Sequence, residues 1–152
     1  MYLLPPSKSF FIGFMIMLMI ALMISLAYAE IDLDIIAKIE SNYNVKAYNK
    51  KSGARGLYQI TPVCLEDYNK YNKAAVTLND LFSPEVNKKI AKWYLEKRIP
   101  QMLKYYNIKI TWDNVLWCYN GGIGRVKKNI MDNETLLYTE RYLQLVMRKE
   151  AI

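Results

Sequence analysis

One carboxyl in this chain stands where an ordinary surface charge has no reason to be. Leu33, Ile36 and Ala37 fall at i, i+3 and i+4 of a helical stripe, and Glu40 follows at i+7 on the same face. Asp34 and Lys38 lie off that arc, so the same helix has solvent-facing positions for charges. A carboxyl held among apolar groups loses hydration as the anion; its pKa rises, and near neutral pH it keeps a proton to give away, as a general acid must. The competing reading is a glutamate at a frayed helix end, held by a structural partner. Other chemistries are poorly supplied. The chain has no His, and its only cysteines are Cys64 and Cys118. A thiol nucleophile therefore lacks its usual base, and two thiols outside any metal-spaced cluster are too few for a zinc site. The sequence implies no metal and no cofactor.

Two further clusters combine hydrogen-bonding side chains with glycine. In Gly53-Ala54-Arg55-Gly56-Leu57-Tyr58-Gln59-Ile60 the glycines permit positive φ or close backbone approach, and Gln59 offers both a donor and an acceptor. Plain tight turns at Gly53 and Gly56 are the alternative. In Tyr119-Asn120-Gly121-Gly122 a helix stop frees backbone groups beside two polar side chains, the alternative being a helix C-cap with a buried Tyr.

The elements that must position these groups read as helices joined by short loops. A first helix covers about 32–41, and Tyr43–Arg55, rich in Asn, Lys and Gly, reads as a loop or small hairpin. Thr61-Pro62 and Ser83-Pro84 each place a capping hydroxyl before a Pro at the first helical position. Val86, Ile90, Trp93, Tyr94 and Lys97 form one face of the longest helix, which Pro100 should end or kink. Thr111 caps a helix through Trp112, Val115, Leu116 and Tyr119 that Gly121-Gly122 stops, and a last helix carries Tyr142, Leu145 and Val146.

The ordered set Glu40-Ser41, the Gly53–Ile60 block, Tyr119-Asn120-Gly121-Gly122 and Tyr142-Leu143 resembles the soluble lytic transglycosylase (SLT) family of peptidoglycan-cleaving enzymes, over about residues 32 to 147. Leu81-Phe82-Ser83-Pro84-Glu85-Val86-Asn87, running on to Tyr94-Leu95, is similar to the family's connecting helix. The resemblance implies a mainly α, lysozyme-like fold: one helical domain with a substrate cleft and at most a small hairpin. It makes Glu40 the catalytic acid acting on the β-1,4 bond between N-acetylmuramic acid and N-acetylglucosamine, with closure of a 1,6-anhydro ring. Ser41, Ser52, Tyr58, Gln59, Tyr119, Asn120 and Tyr142 become substrate-side residues. In that role Gln59 faces an acetamido group, and Tyr142 is the late Tyr that hydrogen-bonds the catalytic carboxyl. An aromatic at helical spacing also suits a core, which is the alternative for Tyr142. The chain departs from the family pattern at several positions. Tyr58 stands for the usual Met, Cys118 for the Ala before Tyr-Asn, Lys50 for a Ser near the substrate, with Ser52 the nearest hydroxyl, and Tyr138 for an acidic residue. A hydrolytic muramidase is the rival enzyme and usually needs a second carboxylate. Glu66, Asp67, Asp113, Asp132 and Glu140 are available, though none sits in a motif that assigns it. A catalytically silent wall-binding or assembly module is the rival from another class.

Composition fits an exported enzyme. The chain has 152 residues and only Lys8 is charged among the first 29. Phe10 to Ala29 is uncharged, and Ala27-Tyr28-Ala29 has the small-x-small form of a signal-peptidase site. We therefore expect residues 1–29 to be a signal peptide, with an uncleaved N-terminal membrane anchor as the alternative, and 30–152 to be one domain in the periplasm or outside the cell. Beyond residue 29 there are 20 basic against 14 acidic residues, a net +6. That balance suits an anionic cell wall; nucleic acid is set aside because the export signal points away from it and the lysines are dispersed. A small exported enzyme of this type resembles transglycosylases that open the wall for secretion, conjugation or pilus machines, so such an assembly would be a partner beside the glycan strand. Phage particles and wall turnover use similar domains. An even cysteine count in an exported chain is compatible with a Cys64–Cys118 disulfide, or with two buried free thiols.

Overall fold

The first helix, α1, spans Leu33–Ser41, and its start is fixed by Asp32, whose carboxylate accepts from the Asp34 backbone N–H at 2.9 Å. It ends at Asn42, which takes a left-handed φ of 51° and returns its N–H to the carbonyls of Ala37 and Lys38. In this computed structural model the described residues are Met15, 31–130 and 132–151. The chain divides into two units, Met1–Ile31 and Asp32–Ile152. Apart from Met15, the expected signal peptide or anchor lies outside the described residues. Among those that are described, no helix is long and apolar enough to cross a membrane.

Hydroxyl caps start the helices that follow. Thr61 Oγ1 accepts from Cys64 N–H to open α2 (Pro62–Asn72), and Ser83 Oγ accepts from Val86 N–H to open α3 (Pro84–Trp93) after a short 3₁₀ turn at Asp80–Phe82. Each Pro sits where its missing N–H costs nothing. Pro100 does not end the next helix. A π-helical stretch, Tyr94–Arg98, carries the chain into α4 (Ile99–Tyr105), and the Ile99 N–H reaches back to the Tyr94 carbonyl. The wider turn absorbs a residue that can neither donate nor fit beneath the preceding carbonyl. It also resets the buried face. Ala91, Leu95, Ile99 and Leu103 are buried at a spacing of four, which on a straight α-helix would drift about 40° per step. Lys97, expected on the packed face, is exposed as a result.

Thr111 caps α5 (Trp112–Gly121), which stops at Gly122, where φ is +78° and the N–H returns to the Cys118 carbonyl. A short α6 (Ile123–Lys127) leads to α7 (Asn133–Glu150), opened by Asp132 accepting from Thr135 N–H. α7 packs against α1 and α5. The fold is mainly helical, as the resemblance implies. Where a hairpin was one option, the described residues hold only isolated antiparallel bridges, Tyr48 with Arg55 and Arg55 with Ile60.

Candidate active site

Ile36 and Ala37 bury the inner face of α1, while Asp34 and Lys38 stay exposed, so the stripe that carries Glu40 points inward. Glu40 itself is partly buried on the last turn. Its Oε1 accepts a hydrogen bond from the Tyr138 hydroxyl at 2.8 Å. Burial pushes its pKa up from 4.5 to about 7, and the Tyr138 hydrogen bond, which favours the anion, only partly offsets this. The side chain can therefore be a proton donor and an acceptor within a narrow range around neutrality. Glu40 opens on a cleft of about 500 Å³ that also receives Ser52, Gln59, Tyr119 and Asn120.

The loop that carries Gln59 is pinned from below. Asn87 on α3 has no exposed surface; its Oδ1 accepts from Tyr58 N–H at 2.8 Å, and its Nδ2 donates to the carbonyls of Arg55 at 2.9 Å and Leu81 at 2.8 Å. Gly56 lies directly over this amide with φ +78°, and a Cβ there would sit 2.3 Å from the Leu81 oxygen and 2.5 Å from Asn87 Nδ2. Glycine is required at Gly56 for both reasons. Gln59 is held in a left-handed conformation (φ 48°) and donates through Nε2 to the Gly56 carbonyl at 3.0 Å. Gln59 lines the cleft, and among the described residues no donor is hydrogen-bonded to its Oε1. Such strain at a non-glycine residue persists where the surroundings over-determine it.

The opposite wall is α5. The Tyr119 hydroxyl donates to the Tyr58 carbonyl at 2.6 Å, and its ring meets Tyr94 at 6.1 Å between centroids, in an edge arrangement. Burial, then the Glu40 charge, holds the Tyr119 phenol well above its ordinary pKa, so it stays neutral. Asn120 Oδ1 accepts from Thr135 Oγ1 at 3.3 Å, and Asn120 lines the cleft.

Three expected substrate-side residues belong elsewhere. The Tyr142 ring is fully buried against Trp112, at 5.2 Å between centroids, and its hydroxyl accepts from Asp32 N–H at 2.7 Å. It holds the start of α1, and Tyr138, one turn earlier, is the tyrosine on the Glu40 carboxyl. Ser41 Oγ donates to the carbonyls of Leu57 at 2.9 Å and Ala37 at 3.2 Å, tying α1 to the glycine loop and leaving no hydroxyl proton for a sugar. Tyr58 is buried in the core and presents its backbone to Asn87 and Tyr119. Ser52 does line the cleft, and its Oγ accepts from Ala54 N–H at 3.3 Å.

Cys64 and Cys118 are free, buried thiols on α2 and α5, and both border the cleft. Burial pushes each to about 12, so neither is a thiolate. The five carboxylates weighed as a second catalytic group all lie off the cleft. Asp67 pairs with Arg98 at 2.8 Å and Asp132 caps α7, while Glu66, Asp113 and Glu140 are exposed and do not line the cleft. Glu134, on the first turn of α7, does line the cleft with Glu40. Sequence reasoning did not single it out, and Tyr94, Thr61 and Asn49 on the cleft wall were missed as substrate-side groups. For Tyr138 the signal was present as the departure from an acidic residue, four positions before Tyr142.

A carboxyl poised near pH 7, facing a polar groove wide enough for sugar rings, can protonate a glycosidic oxygen. No curated protein matches the chain. The family model of the transglycosylase SLT domain matches residues 27–141, well over half of the chain. The chain thus belongs to the SLT family of lytic transglycosylases, lyases that act on peptidoglycan.

Proposed function

We propose that Glu40 carries both proton transfers of a non-hydrolytic cleavage between N-acetylmuramic acid and N-acetylglucosamine. In the first step the protonated carboxyl gives its proton to the leaving glycosidic oxygen as the bond to muramyl C1 breaks. In the second the Glu40 carboxylate takes the proton of the muramyl C6 hydroxyl as that oxygen bonds to C1. A 1,6-anhydro ring closes, no water is consumed, and Glu40 is returned protonated. The observation that carries this reading is a single carboxyl with a pKa of about 7, hydrogen-bonded by Tyr138, in a cleft where no second carboxylate is held by a hydrogen bond. Internal attack is then favoured over water, because a hydroxyl already held beside the reacting carbon has a large effective molarity. Gln59 Oε1 and Asn120 Nδ2 supply an acceptor and a donor that suit acetamido groups.

Glu134 favours one other reading. A second carboxylate on the same cleft could hold a water and turn the reaction into hydrolysis. It is exposed, with no hydrogen-bond partner among the described residues, so nothing orients it. Mass spectrometry of digested peptidoglycan separates the two: anhydromuropeptides lack one water relative to reducing-end products. Reducing ends from the wild type, lost in Glu134→Gln, would establish the hydrolase.

Export and context belong to the same proposal. The uncharged run ending in Ala27-Tyr28-Ala29 supports delivery across the cytoplasmic membrane to the wall, and a small wall-opening enzyme suits a secretion, conjugation or pilus apparatus. Fractionation of cells producing the full chain tests the first point; a chain retained in the cytoplasm at full length would refute it.

A further inference from the structure

The sugar cleft has a side branch. Beside Glu40, Asn120 and Glu134 it adjoins a hollow of about 220 Å³ that continues past Tyr138 to Arg141, and from Arg141 and Ile39 a second hollow of about 250 Å³ runs on to Lys38 and Arg148. One face of α7 supplies this path, because Glu134, Tyr138, Arg141, Leu145 and Arg148 recur at the three- and four-residue spacing of a single helical stripe. The ionic character changes along it. The end near the sugars is acidic and the far end is cationic, and no carboxylate among the described residues pairs with Arg141 or Arg148. At that end of α1 the Asp32 carboxylate is engaged by Lys149 at 2.7 Å, and the Asp34 carboxylate accepts from the Tyr43 hydroxyl at 3.0 Å.

From this geometry we infer that the branch between α1 and α7 binds the anionic peptide attached to the muramyl sugar. The inference rests on the peptidoglycan reading above and names which part of the substrate the chain reads besides sugar. Glu40 protonates the bond at C1 of the muramyl ring, and the peptide hangs from C3 of that same ring, so it must leave the cleft within one sugar of Glu40. The branch opens there. From Tyr138 to Arg148 the helix rises about 15 Å, the reach of four to five extended residues. Carboxylates along and at the end of such a peptide then meet Arg141, Lys38 and Arg148, and guanidinium groups bind carboxylates in a two-pronged geometry that lysine lacks. Arg148 lies beyond the residues matched by the family model, while Lys38 and Arg141 lie within them.

The test uses the full chain carrying Glu40→Gln, which cannot turn substrate over, and two probes: a muramyl-glucosaminyl oligosaccharide with its peptides and the same oligosaccharide stripped of them. At low salt the peptide-bearing probe is expected to bind about tenfold more tightly by calorimetry, and the difference to shrink as salt screens exposed charges. Arg141→Gln/Arg148→Gln should remove the difference, amidation of the peptide carboxylates should do the same, and Arg141→Lys/Arg148→Lys should restore part of it. Equal affinity for the two probes, or a difference untouched by the double Gln variant, overturns the inference. Digestion of the peptide-bearing oligosaccharide by the wild type is read separately. Failure there with the binding difference intact would sink the cleavage reading and leave the peptide groove standing.

Discussion

Keeping Glu40 protonated near neutrality has a thermodynamic cost that can be measured. Its folded pKa of about 7 lies above its ordinary 4.5, so the folded chain holds a proton that the unfolded chain releases as pH rises. Stability tied to this group is complete below pH 4.5 and drains away up to about pH 7, amounting to about 3 kcal/mol for a shift of that size. Glu40→Gln should therefore abolish cleavage, melt higher than the wild type at pH 8, and lose that advantage toward pH 4.5; identical melting at both pH values would contradict the shift. The two tyrosines of α7 should separate in the same assays. Tyr138→Phe removes a hydrogen bond that favours the carboxylate, so the alkaline limb of kcat/KM should move to higher pH. Tyr142→Phe removes the acceptor for Asp32 N–H and should cost about 1 kcal/mol of stability while leaving that limb in place. At this scale the sequence was legible where the signal was local. Helical periodicity over two turns placed Glu40, but which of two tyrosines at i and i+4 meets it depends on how α7 is rotated against α1, and both lie on the same face.

A single buried amide on α3 positions a loop that contributes to the cleft from the other side of the chain. Asn87 satisfies one N–H and two carbonyls of the 55–58 turn and the 3₁₀ segment, and Gly56 exists in that form because nothing larger fits above it. Asn87→Ala leaves those three groups buried without partners, which should cost about 3 kcal/mol or more. Asn87→Asp keeps the shape but turns an acceptor toward two carbonyls, so it should rescue nothing. Both are read by thermal unfolding and by the KM for glycan, since Gln59 rides on the same turn; a melting temperature unchanged in Asn87→Ala would refute the pin. Starts and stops of elements were readable because Thr61, Ser83, Thr111 and Gly122 act on their immediate neighbours. At Pro100, where an end or a kink was expected, the choice between them was not readable, for a reason of the same kind. Its local rule is to break a helix, and the π-helical turn that lets the chain pass is chosen by burial of Leu95, Ile99 and Leu103 against distant residues. Asn87 stood in view in the Leu81–Asn87 block, but a polar residue on a helix declares itself buried only when the carbonyls it serves are known.

The ends of the domain close on each other, and the site sits at that closure. Tyr138 reaches Glu40, Tyr142 holds Asp32 N–H, and Lys149 pairs with the Asp32 carboxylate, all across about a hundred residues of chain. Nothing in the local pattern of either helix encodes such a contact, and each requires the intervening helices to have set the distance. The three links differ in weight. Lys149 and Asp32 form an exposed pair, worth at most about 1 kcal/mol. Tyr142 is a fully buried aromatic, and losing one typically costs about 3–5 kcal/mol, a large part of the 5–15 kcal/mol that holds a domain of this size folded. Two truncations should therefore behave differently. A chain ending at Arg148 loses the exposed pair and should melt within a few degrees of the full chain. A chain ending at Arg141 still contains every residue matched by the family model, Tyr138 included, yet it loses Tyr142 and should unfold well below the full chain. Its cleavage should fall further than its stability alone accounts for when both are compared at a temperature where it remains folded, because α1 then has no anchor at Asp32 and Glu40 is no longer held against Tyr138. If the shorter chain melts and cleaves like the longer one, the closure through Tyr142 is not what positions the carboxyl.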